Sequence, residues 1–193
     1  MMVGIIGTAL NIVGRDMIPF PDKKYNIIYA DPAWFYGNSI HRGAAIKHYK
    51  TMQNSEIENM HVENISAKDC ILFLWATFPK LQESLNVINA WGFTYKTIGF
   101  VWIKKNKKQT NTNFWGMGNW TRSNSEICLI ATKGNPKRKA ANIHSVIETP
   151  IERHSKKPDI VREKIVELVG DLPRIELFAR ETADGWDSWG NEV

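Results

Sequence analysis

At 193 residues the chain is long enough for one α/β domain with a substantial core and too short for two comfortable ones. A hydrophobic fraction of 43% excludes wholesale disorder, no apolar run reaches membrane-spanning length, and a net charge of +5 favours a polyanionic partner. Cys70 and Cys128 each sit inside an apolar run and read as buried thiols of a reducing compartment, and the scattered histidines give no zinc-ligand spacing, so no metal is expected.

Met1 to Leu10 is apolar but lacks a basic leader, which makes it a poor signal peptide. Pro19-Phe20-Pro21-Asp22 reads as a loop into the first clear strand, Tyr25 to Ala30, a β-branched and aromatic run. Asp31-Pro32-Ala33-Trp34 follows directly, at the carboxyl end of that strand, where open α/β sheets place their ligands. Proline cannot extend the ladder, so the chain leaves the sheet there. These residue types suit methylation of an exocyclic amine on a nucleobase. The lone pair of such an amine is delocalised into the ring. A carboxylate (Asp31) and a carbonyl (Pro32) that accept its two hydrogens localise it, and an aromatic ring (Trp34) holds the base in plane. Taken alone, the four residues fit an ordinary Asp-Pro turn equally well.

A polar loop from Phe35 to Met52 is expected next, then a short helix over Glu56 to Asn64 capped by Ser55. Cys70 to Trp75 reads as a strand buried on both faces, Pro79 opens a helix closed near Gly92, and Thr97 to Ile103 is a strand, together a βαβ unit. Residues 104–124 begin with Lys104-Lys105-Asn106-Lys107-Lys108 and interleave Phe114, Trp115 and Trp120 with glycines and Arg122. Either a solvated basic loop or a nucleic-acid-binding insertion fits; aromatics beside lysines favour the insertion. Ile127 to Thr132 is a strand ending in Lys133-Gly134-Asn135-Pro136, with basic patches at Lys137-Arg138-Lys139 and around Lys156. A helix from Pro158 to Gly170 and a strand from Arg174 to Phe178 follow, and the tail from Thr182 to Val193 reads as packed. No linker divides the chain, so residues 1–193 form a single domain.

In this order the words Ala30-Asp31-Pro32-Ala33-Trp34, Tyr49-Lys50-Thr51-Met52, Phe73-Leu74-Trp75, Lys133-Gly134-Asn135-Pro136, Ser155-Lys156-Lys157-Pro158, Ile175-Glu176-Leu177-Phe178-Ala179-Arg180 and Gly190-Asn191 resemble the MT-A family of N6-adenine methyltransferases over roughly residues 20–193. The resemblance implies an α/β, Rossmann-like fold that uses S-adenosyl-L-methionine. It carries a mostly parallel central sheet with helices on both faces and a permuted motif order that needs no N-terminal glycine-rich word. It implies methyl transfer to the N6 amine of adenine in DNA, with RNA adenosine or a catalytically inactive nucleic-acid-binding scaffold as alternatives. Asp31, Pro32, Ala33 and Trp34 take the catalytic positions, with Trp34 stacking on the flipped base. Asp31, Lys133, Phe178, Arg180, Thr182, Asn191 and Glu192 take the cofactor positions, Lys133 meeting the methionine carboxylate. Tyr49 matches an active-site loop aromatic, and Lys104, Lys105, Trp120, Arg122 and Lys156 are the further candidates for substrate binding. Ala33 stands where the family has a second proline, and Thr182 where it often has a histidine. A bacterial or phage-type cytoplasmic protein is implied, with DNA or RNA but no membrane as partner. Monomer, homodimer and heterodimer all remain open.

Overall fold

The computed structural model describes residues 18–37, 51–118 and 120–193. Met1 to Leu10 and the loop residue Tyr49 lie outside the described residues. The strands are β1 (Tyr25–Ala30), β2 (Ser66–Ala76), β3 (Thr94–Lys105), β4 (Ser125–Lys133), β5 (Val146–Pro150), β6 (Arg174–Leu177) and β7 (Asp187–Trp189). They form one sheet in the order β5-β3-β4-β2-β1-β6-β7. Every neighbouring pair is parallel except those of β4, which runs antiparallel to both β2 and β3. The expected βαβ unit therefore exists with a difference: β2 and β3 are parallel, but β4 lies between them.

Strand periodicity divides the core into two layers. Ile28, Ala30, Leu72 and Leu74 point to the side covered by α1 (Asn54–Glu58) and α2 (Leu81–Ala90), where they meet Ile57, Val87, Ile88 and Trp91. Ile27, Tyr29, Ile71 and Phe73 point the other way, onto Val161, Ile165 and Val169 of α3 (Ile160–Val169). Helices thus cover both faces, as the resemblance implies. Each of these large apolar side chains contributes about 1.5–3 kcal/mol through burial. Cys70 and Cys128 are buried inside this core, and desolvation pushes the Cys70 thiol up to about 12.

Several boundaries differ from the sequence expectation. The helix expected over Glu56 to Asn64 is the short α1, started by Gln53 rather than Ser55. The Gln53 amide donates to Glu56 Oε2 at 2.6 Å, completing a capping box two residues upstream. Phe178, expected within the last long strand, lies just outside β6 with φ 62°, a left-handed conformation uncommon for an aromatic residue. The strands β5 and β7 had no clear signal; both are short, and each pairs with only one neighbour.

Candidate active site

The carboxyl ends of β1, β2 and β6 meet at one edge of the sheet. Ala30 pairs with Leu74 and with Leu177, so Asp31, Trp75 and Phe178 are the next residues out on three adjacent strands. The backbone then turns sharply. Trp34 N–H donates to the Pro32 carbonyl at 2.9 Å, and Met52 N–H donates to the Ala33 carbonyl at 2.8 Å. The Pro32 oxygen keeps a second lone pair for another donor.

The Asp31 side chain is 28% exposed, and its Oδ2 accepts from the Lys157 ammonium at 2.7 Å. Lys157 also reaches Glu126 Oε2 at 3.2 Å, and Glu126 Oε1 accepts from Lys104 at 2.5 Å. Four alternating charges thus run from the β1 corner to the end of β3. Burial raises the Asp31 pKa above its ordinary value, with the Lys157 ammonium opposing the rise and the Glu126 charge adding to it. Glu126 is held down despite its burial by Lys157 and Lys104. Lys157 remains charged, its desolvation outweighed by the two carboxylates. Its ammonium also stands 5.6 Å from the centre of the Trp75 ring.

A second group gathers at the ends of β6 and β7. Arg180 Nε donates to Glu192 Oε1 at 2.8 Å, and Arg180 also donates to the His154 carbonyl at 2.9 Å. The Phe178 ring meets Trp189 edge-on at 5.8 Å. Gly190 makes this junction possible. A Cβ there would stand 2.2 Å from the Ala179 carbonyl oxygen, and Ala179 N–H donates to the Trp189 carbonyl. Asp31, Phe178, Arg180, Asn191 and Glu192 are thereby brought to one end of the sheet, while Thr182 is exposed beyond them.

Other expected residues fall elsewhere. Lys133 pairs with Cys70, five residues upstream of Trp75 on β2, which puts it about 16 Å from the Asp31 level along the strand. Its ammonium donates to Ser66 Oγ at 2.6 Å. The Lys133-Gly134-Asn135-Pro136 word makes a tight turn there, with Gly134 at φ 68° and the Asn135 amide on Asp69 Oδ1. The lysine beside Asp31 is Lys157, and its signal was the Ser155-Lys156-Lys157-Pro158 word. Glu126 carried no signal of its own. Trp34 is only 4% exposed and belongs to the core, so it offers no open face for stacking; among the described residues its indole N–H has no partner.

The lysines expected to bind substrate are largely committed to carboxylates. Lys104 is on Glu126, Lys105 on Glu148 at 3.0 Å, and Lys156 on Glu152, Asp159 and Glu181. Their ammonium groups serve internal pairs before any phosphate. Trp120 and Arg122 do project. They ride on an excursion between β3 and β4 that is closed by paired amides of Gly116 and Ser123 and rooted where Lys104 bonds Asn124 and Phe114. At its tip Trp115, Met117 and Trp120 are 69%, 87% and 99% exposed.

A carboxylate at a strand terminus, a proline carbonyl next to it and helices on both faces of a mostly parallel sheet fit the Rossmann-like class to which S-adenosylmethionine-dependent methyltransferases belong. Comparison with known proteins narrows this. The MT-A70 family model matches residues 25–192. The type II methyltransferase M.MunI of a Mycoplasma species is 34% identical over 206 residues, covering 96% of this chain and 85% of that protein. The catalytic subunit METTL3 of the human N(6)-adenosine-methyltransferase is 28% identical over 173 residues, covering 88% of this chain and 28% of its own length. An Arabidopsis thaliana N(6)-adenosine-methyltransferase MT-A70-like protein is also 28% identical, with 24% of its length covered. The chain belongs to the MT-A70 family of N6-adenine methyltransferases, and it spans about a quarter of the length of these two adenosine methyltransferases.

Proposed function

We propose that the protein transfers a methyl group from S-adenosylmethionine to the N6 amine of adenine in DNA. The observation that carries the proposal is the Asp31 carboxylate at the end of β1, held at 2.7 Å by the buried Lys157 ammonium. S-adenosylmethionine, when bound, supplies an electrophilic methyl group on a sulfonium. The residues present fit it: Asp31 and Lys157 together complement an amino-acid zwitterion, and Phe178, Arg180, Asn191 and Glu192 offer a ring and polar groups to an adenosine.

Asp31 accepts one hydrogen of the target amine and the Pro32 carbonyl the other, which turns the nitrogen lone pair out of conjugation. Catalysis comes from this alignment and from the fixed charges around it. No strong base is required, because the proton becomes acidic once the nitrogen is alkylated. With Trp34 in the core, stacking on the base falls to another group. The exposed Trp115, Trp120 and Arg122 on the β3–β4 excursion serve as contacts to the nucleic acid, rings against bases and guanidinium against phosphate. DNA is favoured because the relative covered over 85% of its own length is named a type II methyltransferase.

Labelled cofactor incubated with single- and double-stranded DNA and RNA tests this, with product nucleosides identified by mass. N6-methyladenine in DNA is expected, and incorporation confined to RNA would transfer the assignment to the RNA alternative. Asp31→Ala should abolish transfer while keeping part of the cofactor binding; near-normal turnover of that variant would overturn the assignment. Failure of the wild type to bind S-adenosylmethionine would point to the inactive scaffold.

A further inference from the structure

The carboxyl end of β2 carries a cluster that methyl transfer, as derived above, leaves unused. Thr77 stands at the N-cap of a 3-10 turn, Phe78–Lys80, that leads into α2. A threonine at such a position ordinarily accepts a backbone N–H of the first turn. Thr77 makes no such bond; its hydroxyl lies 2.5 Å from the Tyr36 phenol oxygen instead. Lys80 is engaged with the same residue. It is a buried lysine whose ammonium donates to Glu83 at 2.9 Å and Asn54 at 3.4 Å, and it stands 5.6 Å from the centre of the Tyr36 ring. Two residues of one turn thus fix a single tyrosine.

Phe78 lies between them and is 52% exposed, with Leu81 beside it at 38%. A phenylalanine supplies nothing to the start of a helix, and holding it in water forgoes the burial that favours it elsewhere. Its place in the fold gives it a use. Asp31 and Trp75 follow the paired residues Ala30 and Leu74, so Thr77 and Phe78 leave the sheet at the same end as Asp31 and only a few residues further out. The Tyr36–Thr77 bond ties this turn directly to the chain running on from the Asp31 corner.

We infer that Phe78, braced by Tyr36, enters a DNA duplex beside the target adenine and fills the place that the adenine vacates when it turns out toward Asp31. The inference rests on the proposed function, which requires an extruded base. Apolar side chains inserted between base steps stabilise unstacked duplexes, and the orphaned partner base gains a ring to stack on.

The test uses the full-length protein and a duplex carrying the sequence in which the wild type places N6-methyladenine, mapped in the DNA of an expressing host. A second duplex has an abasic site opposite the target adenine, so that extrusion no longer breaks a pair. Phe78→Ala should lower kcat/KM on the paired duplex tenfold or more and come within about threefold of wild type on the abasic duplex. Affinity for S-adenosylmethionine and Tm should be unchanged, and Phe78→Trp should keep most of the activity. Equal losses on both duplexes, or no loss on the paired one, would overturn the inference while leaving methyl transfer intact. A wild type active only on single strands would do the same. A wild type that methylates no nucleic acid would overturn the reading beneath it.

Discussion

The Lys157 ammonium donates to Asp31 Oδ2 at 2.7 Å while also reaching Glu126 at 3.2 Å, so two carboxylates share one cation. The side chains of Lys157 and Glu126 are only 11% and 12% exposed, which leaves little water to replace a missing partner. Lys157→Met therefore removes the charge that allows two acids to stay ionised within reach of each other. Breaking a buried pair in this way costs about 3–5 kcal/mol. A Tm lowered by several degrees is expected, with methylation falling by orders of magnitude and S-adenosylmethionine binding weakened. A variant of wild-type stability and activity would show that Lys157 has no part in the site.

The same network sets a pH dependence. Asp31 accepts an amine hydrogen far more strongly when ionised, and burial holds its pKa above the ordinary carboxylate value. Activity should thus fall as the pH drops through that raised value, earlier than for an exposed aspartate. Glu126→Gln removes the neighbouring negative charge that raises Asp31 and leaves the Lys157 ammonium to Asp31 alone. Both changes lower the Asp31 pKa, so the acid limb of kcat/KM should move to lower pH. A limb that stays put or moves upward would separate Glu126 from the electrostatics of Asp31.

Much of the fold was legible because its central strands carry period-two or continuous apolar runs, Tyr25 to Ala30 and Cys70 to Trp75 above all. The edge strands were not. β7 spans only Asp187–Trp189 and owes its place to the contact between Gly190 and Ala179, which no local pattern reveals. Asp31 and the Phe178–Arg180 end were legible from strand position and word order. Lys133 was expected at the cofactor, whereas Lys157 was given no role, although it lies in the Ser155-Lys156-Lys157-Pro158 word. The antiparallel course of β4, which carries Glu126 to the Asp31 end of the sheet and Lys133 to the other, is not legible in either word. The partners of the charge runs were hidden for a different reason. Lys104, Lys105 and Lys156 read as phosphate ligands in sequence, and carboxylates that pair with them come from elements that only the fold brings near.

Lys133 supplies a direct contrast with Lys157. Its ammonium lies on Ser66 at the far end of the sheet, in a turn that pins the start of β2. Lys133→Met should cost only about 1 kcal/mol, the typical net worth of one hydrogen bond. Calorimetric affinity for S-adenosylmethionine should be unchanged within twofold. A loss of ten-fold or more with an unaltered Tm would return Lys133 to the cofactor site and count against the strand register.

Gly190 is the position where backbone packing and the site meet most closely. A methyl group there would stand 2.2 Å from the Ala179 carbonyl oxygen and 2.8 Å from its nitrogen, and neither is the movable end of a side chain. Gly190→Ala must therefore push the end of β7 away from β6 and stretch the Ala179–Trp189 hydrogen bond. Overpacking of this kind costs about 1–3 kcal/mol. The displaced residues are Asn191 and Glu192, and Glu192 holds Arg180 at 2.8 Å. Affinity for S-adenosylmethionine should fall by more than the stability loss alone explains, with KM for the cofactor rising while Asp31 and Lys157 stay in place. Measured below the Tm of the variant, saturating cofactor should then restore most of kcat. A kcat that stays low at saturation would mean that the β6–β7 junction also sets the geometry at Asp31.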